Sequence, residues 1–270
     1  MRVAEEHLTH GWEPDLDAGD SLLRRYVLAN ADRNAFLATA AGGRHERWPD
    51  LAVADPCSPV LFDNAAVLLQ PPPYTDLRDA VRRVLGFYPP ERHFVLLAAW
   101  PTPDLSDAGL HLMGHPPLML RPAGGTAPPP PPGLRISPVG DRRMLADFVR
   151  TLVEGYPMPG AADTVLADEA VLRGPVRLFV GYVDGEPVAT SGARLGHGIV
   201  DVEWVSTLPS HRRRGIGAAL TWAATLVHGT EPAMLISSDD GRAVYESMGY
   251  LSLTRLTMRH RPPVDDAQRP

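Results

Sequence analysis

The stretch His211–Leu220, HRRRGIGAAL, sets three arginines against Gly215-Ile216-Gly217 and runs straight into a helix-forming segment. Glycine lets backbone amides approach a ligand closely and adopt conformations that other residues avoid. A helix starting there turns its unpaired N–H groups and the positive end of its dipole toward the same point. Together these suit a pyrophosphate, and Arg212, Arg213 and Arg214 can add charge-assisted contacts. The loop is not a Walker P-loop, since no Gly-Lys-Ser/Thr follows, and Ala219 and Leu220 stand where a dinucleotide fingerprint needs its third glycine. The competing reading is a helix start flanked by solubilising charges. Just upstream, VDVEWVST reads as a strand. Its side chains alternate, so Asp201, Glu203, Val205 and Thr207 are expected on one side. Two carboxylates so placed raise each other's pKa and can hold a water for proton relay. As a plain alternative, they are solvated strand residues.

The elements that must position these groups can be read around them. LRISPV predicts a strand, and Asp141 caps a helix in which Leu145, Phe148, Val149 and Leu152 recur at helical spacing. Tyr156–Asp163, YPMPGAAD, is a proline-broken loop, and DEAVLRG a short second helix. RLFVGYVDGEPVATSGARL predicts two strands joined at Asp184-Gly185, a strong hairpin signal. GIVDVEWVST follows, then a helix whose apolar face is Leu220, Ala223, Ala224 and Val227. AMLIS is a buried-type strand, the segment from Gly241 through AVYESM a helix stopped by Gly249, and YLSLTRLTMR a strand or strand pair.

This order, with LPSHRRRGIG between strand and helix and VYESMGY after the next strand, resembles the GNAT superfamily of N-acetyltransferases. The family's Q/R-x-x-G-x-G/A loop binds the pyrophosphate of acetyl-CoA. Arg212, Gly215 and Gly217 match its defining positions, with Arg213, Arg214, Ile216 and Ala218 in the same loop, and Tyr245, Gly249 and Tyr250 match the terminal Y-x-x-x-G-F/Y pattern. The resemblance covers roughly residues 134–261. It implies an α/β (α+β) fold, a mixed, mostly antiparallel sheet flanked by helices, with acetyl-CoA as cosubstrate and no metal. Amine acetylation requires an ammonium to lose a proton, an oxyanion to be stabilised and a thiolate to be protonated. The resemblance assigns the base to the carboxylate strand, Glu203 first and Asp201 second, and the thiolate's proton donor to Tyr245. Tyr245 also reads as an aromatic packing its helix on the sheet. Backbone groups of Val205 and Thr207 are expected to pair with the pantetheine as an added strand would. The acceptor is expected against YPMPGAAD, where Tyr156 and Met158 offer apolar walls and Asp163 a charge for an ammonium. Many members carry asparagine seven residues before the tyrosine; this chain has Ser238.

The length of 270 residues suits two domains. RPAGGTAPPPPPGL, residues 121–134, reads as a semi-rigid polyproline spacer. The expected division is an N-terminal α/β domain at 1–123, a linker at 124–133, the acetyltransferase domain at 134–261 and a tail at 262–270. Leu110–Arg121, LHLMGHPPLMLR, echoes Tyr245–Leu256, YESMGYLSLTRL, at an offset of 135 residues, and the strands VLFDNAAVLL and FVLLAA and a helix led by Thr75 fall near their counterparts at that offset. Either the first half is a faded copy, with Leu110 where Tyr245 stands and no glycine loop, or it is an unrelated α/β extension. A helix starting near Ser21 lies outside the echo.

A formal charge of −6 argues against a general nucleic-acid binder. All 26 basic residues are arginine, a coding bias to which no function attaches. The single cysteine, Cys57, excludes an internal disulfide and a multi-cysteine metal site. His111 and His115 lack the intervening glutamate of a zinc helix, and no serine sits in a nucleophile elbow. The acidic N-terminus is not a secretory signal, and no apolar run nears the roughly 18–20 residues that span a bilayer, so the expected setting is the cytoplasm. The expected partners are acetyl-CoA and an amine of a small molecule or protein, with no nucleic acid and no membrane, in a monomer or homodimer. The rival reading is a non-catalytic acyl-CoA sensor on the same scaffold.

Overall fold

The computed structural model describes residues 12, 17, 21–72, 74–156 and 164–262. Helix α1 (Leu22–Ala40) begins at Ser21, whose hydroxyl accepts the Arg24 N–H. Strands β1 (Arg44–Arg47), β2 (Leu51–Asp55), β3 (Ala65–Leu68), β4 (Phe94–Ala98) and β5 (His111–Gly114) follow, with helix α2 (Leu77–Phe87) joining β3 to β4. Strands β6 (Pro117–Arg121) and β7 (Leu134–Pro138) flank the proline segment. Helix α3 (Arg142–Gly155) starts at Asp141, whose carboxylate accepts the Met144 N–H, as its spacing predicts. DEAVLRG forms 3-10 turns rather than an α-helix.

Strands β8 (Val176–Val183) and β9 (Glu186–Gly196) are the predicted hairpin, with Asp184 and Gly185 at φ 52° and 87°. Strand β10 (Ile199–Thr207), helix α4 (Ile216–Thr225), strand β11 (Ala233–Ile236), helix α5 (Arg242–Ser247) and strands β12 (Leu251–Arg255) and β13 (Thr257–Arg261) complete the chain. The fold is therefore of the expected class: two mixed sheets of mostly antiparallel strands flanked by helices.

The sheets do not follow the expected boundary at residue 134. The first runs β1-β2-β3-β4-β13-β5 and the second β12-β6-β11-β10-β9-β8-β7. Each half gives one strand to the other. β13, from the end of the chain, lies between β4 and β5, and β6 lies between β11 and β12. With that exchange allowed for, the two sheets repeat one topology. β3 pairs with β4 in parallel across α2, and β10 pairs with β11 in parallel across α4. The first half has the same GNAT-like arrangement as the second.

The exchanged strands are fastened by buried polar groups. Arg259 of β13 donates to the Leu110 carbonyl and, at 2.8 Å, to the Thr102 hydroxyl. Between the halves, the buried Asp63 carboxylate accepts from Ser58, from the Thr164 hydroxyl at 3.0 Å and from the Val165 N–H at 3.0 Å. Apolar packing crosses the boundary as well. Tyr26 and Val27 of α1, Leu97 of β4, Leu118 of β6 and Ile199 of β10 share one buried cluster.

Nor is the proline segment a spacer between domains. It joins β6 to β7, both strands of the second sheet. It starts beside the far end of α4, where the Gly124 N–H donates to the Gly229 carbonyl, and passes the near end, where a methyl on Gly215 would lie 3.4 Å from Pro131 Cγ. The seven residue steps from Gly124 to Pro131 at about 3.1 Å each span ~22 Å, and the fourteen from Gly215 to Gly229 at about 1.5 Å each span ~21 Å. The run fits as a strap along that helix.

Candidate active site

The glycine loop leaves the start of α4 without a side-chain cap. Gly215 is the N-cap of α4 at φ 75°, offers no side-chain cap, and the first turn holds no acidic residue. The Ala219 N–H is the first to close an intrahelical bond, onto the Gly215 carbonyl. The preceding N–H groups therefore have no acceptor within the helix. Arg213 also has positive φ, 62°. The side chain of Arg212 turns away from this cradle. Its Nε donates to the Thr207 carbonyl at 3.0 Å and its Nη2 to the Gly155 carbonyl at 2.7 Å. Arg212 thus ties the end of β10 to the end of α3, leaving Arg213 and Arg214 exposed beside the loop.

Beside the loop the second sheet opens. β10 pairs with β11 at only Val200 and Asp201 and then parts from it. At the same level the pairing of β10 with β9 slips between Glu203 and Ser206, a bulge with Trp204 at φ 54°. A bulge adds one residue and reverses the alternation beyond it. Four residues on one side is therefore not what forms. Asp201 and Glu203 face α1, while Val205 packs in the cluster with Ala218 and Trp222, and the Thr207 hydroxyl lies toward Gly217 of α4.

A cavity of about 800 Å³ lies in front of the bulge, between the two halves. Its walls from the second half include Glu203, Trp204, Val205, Tyr156 and Tyr245. From the first half come Asn30, Arg33 and Asn34 of α1, with Phe62, Asp63 and Leu97. The volume is in the usual range for a small-molecule site. Asp201 is fully buried behind Glu203 and does not reach the cavity wall.

The carboxylates meet a cation that motif reading missed. Arg33 Nη1 lies 2.6 Å from Glu203 Oε1, and its Nε lies 3.3 Å from Asp201 Oδ2. Burial pushes Glu203 up, Arg33 pulls it down and the charge of Asp201 pushes it up again; the balance stands at about 7. Burial raises Asp201 too, against the pull of Arg33 and Arg194. For Arg33, burial alone would favour the neutral form, but the two carboxylates outweigh it and hold the guanidinium charged. The available signal was an arginine within an alanine-rich apolar helix, YVLANADRNAFLATA, on the same helical face as Tyr26, Asn30 and Leu37.

Tyr245 lines the same cavity and packs edge-on against Tyr250 at 5.9 Å between ring centroids. Its hydroxyl has no hydrogen-bond partner among the described residues. Burial, then the charge of Glu203, raises it to about 12, so it keeps its proton at neutral pH. Ser238 lines the cavity and its Oγ accepts the Gly241 N–H at the start of α5. Tyr156 is exposed at the cavity rim, while Met158 and Asp163 lie outside the described residues. Among the described residues no group of three or more His, Cys, Asp or Glu side chains could hold a metal ion, and no helix is long and apolar enough to cross a membrane.

The fold around this cavity is GNAT-like. Residues 142–250 match the model of the acetyltransferase (GNAT) family. In three dimensions the chain is similar to a GCN5-related N-acetyltransferase from Kribbella flavida, at 22% identity and a TM-score of 0.65, over 92% of this chain and 98% of that one. It is also similar to a putative GNAT-family acetyltransferase from Novosphingobium aromaticivorans, at 18% identity and a TM-score of 0.57, over 87% and 97% of the two chains. A conserved protein of unknown function from Staphylococcus epidermidis matches at 13% identity and a TM-score of 0.57, over 81% and 93%. These likenesses span both halves and concern the fold. No curated protein matches the chain in sequence.

Proposed function

We propose that the protein is an N-acetyltransferase that moves an acetyl group from acetyl-CoA to an amine held in the cavity between its halves, by direct attack on the thioester. The observation that carries this reading is one cavity lined by both Glu203 and Tyr245, in front of the opening between β10 and β11. Bound acetyl-CoA supplies an activated acetyl group on sulfur. The uncapped N-terminus of α4 suits its pyrophosphate, with Arg213 and Arg214 beside it. Of the two strand residues expected to pair with the pantetheine, Thr207 has its carbonyl engaged by Arg212, whereas Val205 stands in the bulge, outside the register with β9. Val205 is the better donor and acceptor for an added strand.

Glu203 takes a proton from the acceptor ammonium, directly or through a water, and the freed amine lone pair then forms the N–C bond. Tyr245 gives its proton to sulfur as the C–S bond breaks, and the second proton that the nitrogen sheds on becoming an amide restores the phenol. Asp201 serves behind Glu203 rather than as an alternative base. The walls suit a primary amine with apolar bulk, on a small molecule or at the end of a protein side chain.

The first half supports one acetyl-CoA site per chain. At the N-terminus of α2 the carboxylate of Asp76 accepts the Arg78 and Asp79 N–H groups, and Asp79 adds a second negative charge in that first turn. An anion would be repelled where the second half invites one. The domain reading is accordingly an acetyltransferase second half completed by a first half that walls the acceptor.

The Arg33–Glu203 ion pair favours one rival, an acyl-CoA sensor in which the carboxylate is only structural. CoA release from acetyl-CoA with a panel of primary amines separates the two. We expect release that depends on the amine, with titration of acetyl-CoA giving a stoichiometry near one. Binding with no turnover on any amine favours the sensor.

A further inference from the structure

The first half does more than wall the cavity: it places a charge against the proposed base. Helix α1 touches both sheets, and its residues Tyr26, Asn30 and Asn34 form a ladder of side-chain hydrogen bonds one turn apart. On the same side Arg33 reaches across the boundary between the halves to Glu203 and Asp201, with its side chain only 8% exposed. Its guanidinium also stands 5.8 Å from the centre of the Trp204 ring, at the bulge. Asp201 makes no hydrogen bond with either oxygen among the described residues, and Arg33 Nε makes none. Their contact is purely one of charge.

The groups around Glu203 come from four elements. Arg33 and Tyr26 lie on α1, Asp201 on β10 and Tyr245 on α5, while Arg194 of β9 acts on Asp201. Arg194 is drawn outward as well, lying 4.0 Å from Asp32, which also holds His197 and Arg47. Arg33 is therefore the cation in direct contact with both carboxylates, the buried Asp201 and the half-buried Glu203.

We propose that Arg33 is a positioning residue of the acetyl-transfer site, holding the Glu203 carboxylate at the cavity wall and cancelling the charge of Asp201 behind it, so that Glu203 is free to accept the acceptor's proton. The proposal rests on the reading of Glu203 as base. It makes the first half a participant in the chemistry, through a residue outside the matched segment 142–250. If the ion pair only held the halves together, the ionisation of Glu203 would not set the rate, and losing Arg33 would slow the enzyme evenly at every pH.

The two roles differ in the pH profile of kcat/KM, measured on full-length enzyme with a fixed amine. Glu203→Gln should abolish the acid limb of the wild-type profile. With Arg33→Met, that limb should move up by about one unit or more, the usual effect of losing an opposite charge at this range. Activity on the acid side of neutrality then falls about tenfold or more and recovers at higher pH. Arg33→Lys should keep the limb near its wild-type position with a lower kcat. Asp201→Asn should move it down, and Arg33→Met/Asp201→Asn should bring it back toward wild type.

If Arg33→Met fails to fold, the Asp201→Asn and double variants decide, since each removes charge without stranding a second carboxylate. A limb unmoved in Asp201→Asn, or a folded Arg33→Met enzyme uniformly slower at every pH, overturns the proposal. If Glu203→Gln loses the limb in those same experiments, the base reading survives that loss. A Glu203→Gln enzyme that retains the wild-type limb overturns the base reading and this proposal together.

Discussion

At the scale of single residues the proposed mechanism asks opposite things of two groups. Tyr245 must carry a proton at working pH, and burial holds it at about 12. Glu203 must be able to lose one, and it is poised at about 7. The wild-type rate should therefore fall as pH drops through about 7, where Glu203 becomes protonated and can no longer act as base. The deficit of Glu203→Gln then has a window. It is largest above about 7, shrinks below it because the wild type has also lost its base, and shrinks again once the acceptor deprotonates on its own. A pH–rate comparison of the two enzymes shows that window or its absence. Tyr245→Phe should lower kcat at least ~100-fold, the lower range for losing a general acid, while acetyl-CoA affinity and melting temperature hold. Among the described residues the hydroxyl has no hydrogen bond to forfeit, so a stability loss would be unexplained by the structure. Full activity in Tyr245→Phe would leave the ring as packing against Tyr250.

At the scale of elements the proposed phosphate cradle is the start of α4, and it is crowded from behind. A Cβ on Gly217 would stand 3.0 Å from the Thr207 hydroxyl. Gly217→Glu adds that crowding and a negative charge at a helix N-terminus meant for an anion. Acetyl-CoA should bind about a hundredfold more weakly, about 2.7 kcal/mol, in a calorimetric titration of folded protein. Unchanged affinity would move the site elsewhere. The elements themselves were legible because each carries local signals: Asp141 as cap, Asp184-Gly185 as turn, HRRRGIG as loop, Ser21 as the start of α1. Relations between elements were not. Alternation along VDVEWVST gave the right face for Asp201 and Glu203 and the wrong one for Val205 and Thr207, since a bulge is set by pairing with β9 and β11 rather than by composition. The proline segment was expected to be a spacer, and its place along α4 depends on where β6 goes. Arg33 escaped because its partners lie far along the chain, and a buried cation is recognisable only once they are known.

At the scale of the whole molecule the exchange of β6 and β13 removes the independence that two halves would otherwise have. Residues 134–270 alone would lack β6, leaving β11 and β12 without the strand between them and apolar faces newly open to water. That fragment should aggregate or bind CoA weakly, whereas both halves produced together, or a chain cleaved in the proline strap, should stay associated. A fragment as stable and active as the whole chain would contradict this. The intact protein should also melt in one transition rather than two, because neither sheet can unfold while lending a strand to the other; scanning calorimetry would show it. The same exchange gives the chain an unusual birth. As it leaves the ribosome, β4 and β5 are made early, but the strand that belongs between them is made last. At about 5–20 residues per second, the first sheet waits on the order of ten seconds with two unpaired edges facing each other across a slot. A nascent chain in that state is a substrate for whatever protects open strands in the cell. A message truncated just before the codons for Thr257–Arg261 should yield a protein that never leaves such protection, with its whole glycine loop and tyrosine intact.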